Sequence, residues 1–152
     1  DYLSHHFYHL FIFMKFYFLV QIISNSVLLG IILVTQFITY PSFLNVSKQK
    51  FYHFHKKYVN RISFLVIPFM ILELISLGYI SYILNDFLLI KGLIILLSIW
   101  LSTFIIMVPL HNKLSSKYEK ELVVKLINYN WLRTLLWSIK LIFILYIYYE
   151  KI

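Results

Sequence analysis

Four apolar runs, each about 19 to 25 residues long, constrain this chain more than any other feature of its sequence. They cover approximately residues 16–40, 62–84, 87–108 and 131–149. A helix of about 20 residues crosses a hydrocarbon layer roughly 30 Å thick, so each run is long enough to span a membrane. Only 13% of the residues are charged, against about 25% in soluble domains. The sequence therefore predicts an all-α integral membrane four-helix bundle that forms a single domain.

Short basic segments connect the first run to the second and the third run to the fourth. In the first segment, SKQKFYHFHKKYVNR, aromatic residues recur at spacings of three and four. A similar apolar stripe follows Ser116, which forms a capping-box spacing with Glu119. Such stripes are typical of helices in the headgroup layer, so we expect two short interfacial helices. Pro41 and Pro109 are expected to end the first and third spans.

The distribution of positive charge predicts the orientation. The two basic segments carry nine of the fourteen Lys and Arg residues, whereas the second and third runs are joined by the short turn Asn85-Asp86. Because Lys and Arg in short loops favour the cytoplasmic side, we expect the interfacial helices in the cytoplasm and both termini outside a bacterial inner membrane. Residues 1–13 precede a start-like Met14-Lys15 pair and are interpreted as either upstream or disordered sequence.

Composition also limits the chemistry and the partners. The net charge is +8, but the cations flank apolar runs and form no continuous basic face, so nucleic acid is not an expected partner. The chain has no cysteine, which excludes disulfides and thiolate metal sites. The expected partner is the lipid bilayer, and other membrane subunits or a homo-oligomer stay open as alternatives.

Ionisable residues inside the predicted spans are candidates for function, because each is unfavourable in lipid unless it is paired. Glu73 lies about 11 residues beyond Arg61, and Lys140 lies about nine residues into the fourth span, so the two share a similar depth. Two interpretations stay open. Glu73 and Lys140 form a structural ion pair, or Glu73 acts as a proton acceptor or a substrate contact.

A second group of polar residues lies where the cytoplasmic ends of the four spans converge. We expect a functional site here around His111 and Arg133, and His55 and Glu73 are further candidates for catalysis. No HExxH or comparable motif is present, so His53, His55 and His111 are only weak candidates for metal or haem ligands, and the cofactor is undetermined. The predicted ligand-binding residues are Gln36, Tyr40, His55, His111, Trp131 and Arg133.

Two segments, VPLHNKL and NWLRTLLWSIK, resemble the second half of small bacterial four-helix membrane proteins of unknown function that are loosely anthrone-oxygenase-like. A proline-polar turn after the third helix and an arginine on the fourth helix recur in that group. His111 stands where the group carries asparagine. The resemblance implies a four-helix membrane fold.

Two functions follow from the sequence as alternatives. The first is a non-catalytic accessory bundle that binds lipid or a partner and has a polar site at its cytoplasmic rim. The second is a small membrane-embedded oxidoreductase or hydrolase that acts on a lipid-soluble substrate through the rim histidines, with or without metal or haem. A transporter or channel is less favoured, because four helices in one copy enclose little space.

Overall fold

The computed structural model describes the backbone of residues 2–152 and the side chains of residues 8, 9 and 11–152. Helices account for 94% of the structure, and the described residues contain no strand. There are four long helices: α1 (residues 2–45), α2 (Lys48–Leu84), α3 (Phe87–Ser116) and α4 (Lys120–Lys151). Residues 2–13 continue α1. The predicted all-helical fold with four long apolar helices is thus confirmed, and each helix is long enough to cross a membrane.

The prediction of two separate interfacial helices is wrong. The first basic segment is the start of α2, and residues 120–130 of the second continue directly into the apolar part of α4. Neither residues 48–61 nor residues 120–130 contain Pro or Gly, so nothing in the backbone ends a helix where the hydropathy changes. The capping box is also absent, because Ser116 ends α3 and the side chain of Glu119 makes no capping hydrogen bond.

Pro41 and Pro109 do not end their helices either. Each proline lies two residues after a π-helical segment, Thr35–Thr39 in α1 and Ser102–Met107 in α3. A proline inside an α-helix loses one hydrogen bond, and its ring collides with the carbonyl four residues earlier. A π-helical turn contains one more residue and shifts that register, so the helix continues past the proline. α1 therefore reaches Asn45, where its last residues are 3₁₀-helical.

The turn between α2 and α3 lies where the sequence predicts it. Asn85 adopts a left-handed conformation, with φ 43° and ψ 44°, which asparagine tolerates better than most residues. The Asp86 carboxylate accepts hydrogen bonds from the backbone N–H groups of Leu88 (2.8 Å) and Leu89 (3.3 Å) and caps α3. Lys151 pairs with the same carboxylate at 2.6 Å. The end of α4 is thereby attached to the α2–α3 hairpin.

Most of the apolar surface of the bundle faces outward. In the most apolar 18-residue window of each helix, between 22 and 39% of the residues are buried. Phe64 in α2 and Tyr149 in α4 are 85% and 84% exposed. Buried apolar residues pack in three clusters, one at the end that carries the basic segments, one in the middle, and one at the hairpin end. We call the first of these ends the basic end.

Candidate functional site

A cavity of about 280 Å³ lies close to the basic end of the bundle, and we call it the rim cavity. Most of its lining residues come from α2 and α3, and its inner wall comes from α1 and α4. Its size is close to the lower limit of roughly 300 Å³ for small-molecule sites. The principal polar lining residues are Tyr40, Tyr58, His111 and Arg133, and apolar walls include Leu28, Ile32, Val66, Met70 and Met107.

The rim cavity extends to the outer surface between α2 and α3. Ile67 in α2 and Phe104 in α3 both line it, and they are 52% and 56% exposed. These residues belong to the apolar outer face of the bundle. An apolar molecule next to that face can therefore reach the cavity without passing the charged basic end.

The two π-helical segments set the position of the polar lining. Tyr40 directly follows the π-segment of α1, and His111 follows Pro109 just beyond the π-segment of α3. The Tyr40 hydroxyl lies 3.0 Å from His111 Nε2. A π-segment rotates the rest of its helix relative to a regular α-helix, and such segments are frequent at functional sites.

Tyr40 begins a chain of hydrogen bonds that leads away from the cavity. His111 Nδ1 lies 3.0 Å from His55 Nε2, and His55 Nδ1 lies 3.2 Å from the Ser115 hydroxyl oxygen. Ser115 donates its own proton to the His111 carbonyl at 3.0 Å. The Ser115 oxygen must therefore accept a hydrogen bond from His55 Nδ1–H. His55 Nε2 then accepts from His111 Nδ1–H, and His111 Nε2 accepts from the Tyr40 hydroxyl. This assigns an Nδ1–H tautomer to both imidazoles and directs the Tyr40 hydroxyl proton toward His111.

Aromatic packing fixes His55 at the centre of this chain. Its ring is fully buried, and its centroid lies 5.3 Å from that of Phe51 and 5.2 Å from that of His111. His53, two residues away on a different face of α2, is exposed. The structure therefore does not bring His53 to His55 and His111. Among the described residues there is no group of three potential metal ligands.

Arg133 supplies a buried positive charge to the cavity. Only 7% of the residue is exposed. Its Nη1 donates to the Asn130 side-chain oxygen at 3.3 Å, and its guanidinium lies 5.1 Å from the Trp137 ring centroid. Its Nε is buried without a hydrogen-bond partner among the described residues. Every partner that the described residues provide for this cation is thus electrically neutral.

The remaining predicted ligand-binding residues lie outside the cavity lining. Gln36 accepts a hydrogen bond from Asn130 at 2.8 Å and donates one to the Ile127 carbonyl at 3.2 Å, so it connects α1 to α4. Trp131 is 48% exposed and packs edge-on against Phe37 with the ring centroids 5.4 Å apart. The structure does not bring Trp131 to the cavity, because it lies on a different face of α4 from Arg133.

Glu73 and Lys140 belong to a separate buried group, which we call the central network. Lys140 Nζ donates to Glu73 Oε1 at 2.7 Å, to Asn25 Oδ1 at 2.8 Å and to Gln21 Oε1 at 3.1 Å. The second carboxylate oxygen of Glu73 accepts from the Trp137 indole at 3.3 Å. All three donors of the ammonium group are therefore used, and both charged side chains are completely buried. No donor of this ion pair is left for a ligand.

Trp137 links the central network to the rim cavity. Its indole N–H donates to Glu73, its backbone carbonyl accepts from Asn25 at 3.2 Å, and its ring faces the Arg133 guanidinium. Glu73 itself does not line the cavity, whereas Trp137 does. Sequence reasoning missed Trp137, although residues 133, 137 and 140 have the spacing of one helical face. Tyr58 and Ser115 were also missed, and no sequence signal identifies them.

A comparison of the chain with protein-family models, characterised proteins and solved structures gave no match. The resemblance to anthrone-oxygenase-like proteins therefore stays a prediction.

Proposed function

We propose that this chain is an integral membrane protein of a bacterial inner membrane that binds a lipid-soluble ligand in the rim cavity. Four helices with largely exposed apolar surfaces support the membrane location, because soluble proteins rarely expose contiguous apolar patches larger than a few hundred Å². The nine Lys and Arg residues at the basic end support a cytoplasmic position for that end. Both termini then lie outside.

One observation carries the binding function. The rim cavity combines apolar walls with a polar wall formed by Tyr40, Tyr58, His111 and Arg133, and it extends to the apolar surface between α2 and α3. Small-molecule sites have this composition, in which apolar walls provide most of the contact and a few polar groups orient the ligand. The central network holds α1, α2 and α4 around the cavity. We assign it a structural role, because its ion pair is saturated by internal partners.

Native mass spectrometry of protein extracted in mild detergent tests this proposal. Val66 lines the cavity, and Val66→Phe should fill part of it; Ile71→Phe changes an exposed aliphatic residue of the same helix outside the cavity lining. We expect the wild type and Ile71→Phe to retain one bound molecule of discrete mass. Val66→Phe should lose it while its melting temperature stays near that of Ile71→Phe. Absence of a bound mass from the wild type, or equal retention in both variants, contradicts a site in this cavity.

The hydrogen-bond chain from Tyr40 to Ser115 favours a second candidate function, acid–base chemistry on the bound molecule. Its links are 3.0, 3.0 and 3.2 Å long, short enough for proton transfer. It begins at the cavity and ends at a partly exposed serine of the basic end. In this version the protein is a membrane-embedded oxidoreductase or hydrolase, and His111 and His55 carry the proton.

An absorption spectrum and elemental analysis of the purified protein distinguish the oxidoreductase from the binding protein. A stoichiometric haem or flavin spectrum, or one equivalent of a redox metal, would favour the oxidoreductase. A colourless, metal-free preparation that retains a bound ligand chemically unchanged would favour the binding protein.

A further inference from the structure

We infer that the ligand of the rim cavity carries one negatively charged head group, such as a carboxylate or a phosphate, on an apolar body. This inference rests on the proposed ligand-binding function and specifies the chemical class of the ligand. It depends on a second observation besides the cavity: Arg133 is buried and has no anionic partner among the described residues.

An inventory of the acidic residues excludes an internal partner for Arg133 among the described residues. The chain has six acids, and the structure describes the side chains of all except the first residue. Glu73, Asp86 and Glu119 pair with Lys140, Lys151 and Lys117, respectively. Glu121 and Glu150 are exposed. They lie 12 and 17 residues from Arg133 on the same helix, which corresponds to roughly 18 and 26 Å.

A buried cation that contacts only neutral dipoles is poorly compensated, and this is more unfavourable inside a membrane than in water. Arg133 nevertheless lines the cavity, and its Nε is buried without a hydrogen-bond partner among the described residues. Guanidinium groups match carboxylates and phosphates because their N–H donors can bind two oxygens side by side. The Tyr58 hydroxyl, which also lines the cavity, can provide a further donor. A ligand anion at this position would supply the missing charge.

The rest of the cavity fits the apolar body of such an amphipath. From Arg133 and Trp137 the lining continues along Met70 and Val66 to Ile67 and Phe104, which are more than half exposed. A head group at Arg133 therefore leaves a tail that points out between α2 and α3. The ligand can be a free single-chain acid or an anionic membrane lipid, since both present the same head-group charge.

A series of dodecyl compounds that differ only in the head group tests the inference. The protein is placed in nanodiscs of zwitterionic phosphatidylcholine, and the binding heat is corrected with empty nanodiscs. We expect dodecanoate and dodecyl phosphate to bind about 10- to 100-fold more tightly than dodecanol, as a charge-assisted hydrogen bond allows. Dodecyltrimethylammonium should not bind detectably. Added phosphatidylglycerol that competes with dodecanoate would identify the lipid source, and the absence of competition would identify a free amphiphile.

Two substitutions test whether Arg133 causes the preference for anionic head groups. Arg133→Met should reduce the affinity for dodecanoate to that for dodecanol without changing the affinity for dodecanol. Arg133→Lys should retain the preference for anions with a weaker affinity. If Arg133→Met does not fold, the comparison of dodecyl compounds on the wild type still tests the preference for anions. Equal binding of dodecanol and dodecanoate to the wild type would overturn the anion inference and leave the binding function standing, whereas no saturable binding of any compound would refute the binding function itself.

Discussion

The ion pair between Glu73 and Lys140 provides a quantitative test of how the bundle is held together. Glu73→Gln leaves the Lys140 ammonium with amide oxygens only, and Lys140→Met leaves the Glu73 carboxylate without a cation. Removing one partner of a buried ion pair costs about 3–5 kcal/mol. For a chain of this size, 1 kcal/mol corresponds to roughly 2–4 °C in melting temperature. Each single variant should therefore melt roughly 6–20 °C below the wild type in detergent.

The double variant separates the pair from its individual residues. Glu73→Gln combined with Lys140→Met removes both charges, so it should recover about 1–3 kcal/mol of the summed loss. Leu72→Ala is the control, because Leu72 precedes Glu73 in the sequence and is 45% exposed. It should change the free energy of unfolding by less than either charge variant. A melting temperature of Glu73→Gln equal to that of the wild type, or strictly additive losses in the double variant, would refute this account of the central network.

Four further predictions concern the ends of the bundle. A cysteine introduced at position 86 should react with an impermeant reagent in intact cells while one at position 50 or 117 should not, and the reverse pattern would invert the orientation. Asp86→Ala should lower the free energy of unfolding by about 1 kcal/mol because the helix cap is lost, and chemical denaturation measures this change. An unchanged free energy of unfolding would show that the cap does not stabilise the fold. A hydrogen bond from Lys151 lowers the pKa of Asp86 below its ordinary value of 3.8, so the pair stabilises the fold above pH 3.8 and this stabilisation is lost as the pH falls through the lower pKa of the folded state. Acid unfolding of Lys151→Met should lack this loss of stability, and an acid-unfolding profile equal to that of the wild type would contradict the prediction. Nitrogen NMR should detect the Nδ1–H tautomer of His55 and of His111, and Nε2–H signals at both would show that the hydrogen-bond chain runs the other way.

The sequence was sufficient to predict four apolar helices and the turn at Asn85-Asp86, because length, hydropathy and helix-breaking residues determine both. It was insufficient for the ends of the helices. A change from apolar to basic residues marks the edge of a hydrocarbon layer but does not break a helix, so the basic segments continue α2 and α4. The π-helical segments before Pro41 and Pro109 were not predicted, since no residue type specifies a π-turn.

The candidate site shows the same limits. His111 and Arg133 line one cavity because they lie near the basic ends of adjacent long helices, and sequence order alone suggests this. Which residues accompany them depends on the rotation of each helix. Trp131 lies two positions from Arg133 and faces elsewhere, whereas Trp137 lies one turn away on the same face. Assigning polar residues by depth alone therefore selected Trp131 and overlooked Trp137.

Fluorescence quenching of Trp137 tests the central claim, that the rim cavity binds an anionic amphipath, most directly. The chain has three tryptophans, so Trp100→Phe with Trp131→Phe leaves only the one whose ring faces Arg133. 2-Bromododecanoate carries its quenching bromine on the carbon next to the carboxylate. We expect saturable quenching in phosphatidylcholine nanodiscs, reversal by excess dodecanoate, and saturation at about 10- to 100-fold higher concentration when Arg133→Met is added. Quenching that rises linearly with the 2-bromododecanoate content of the bilayer, and is equal with Arg133 and with Met at this position, would contradict the claim that the rim cavity binds an anionic amphipath.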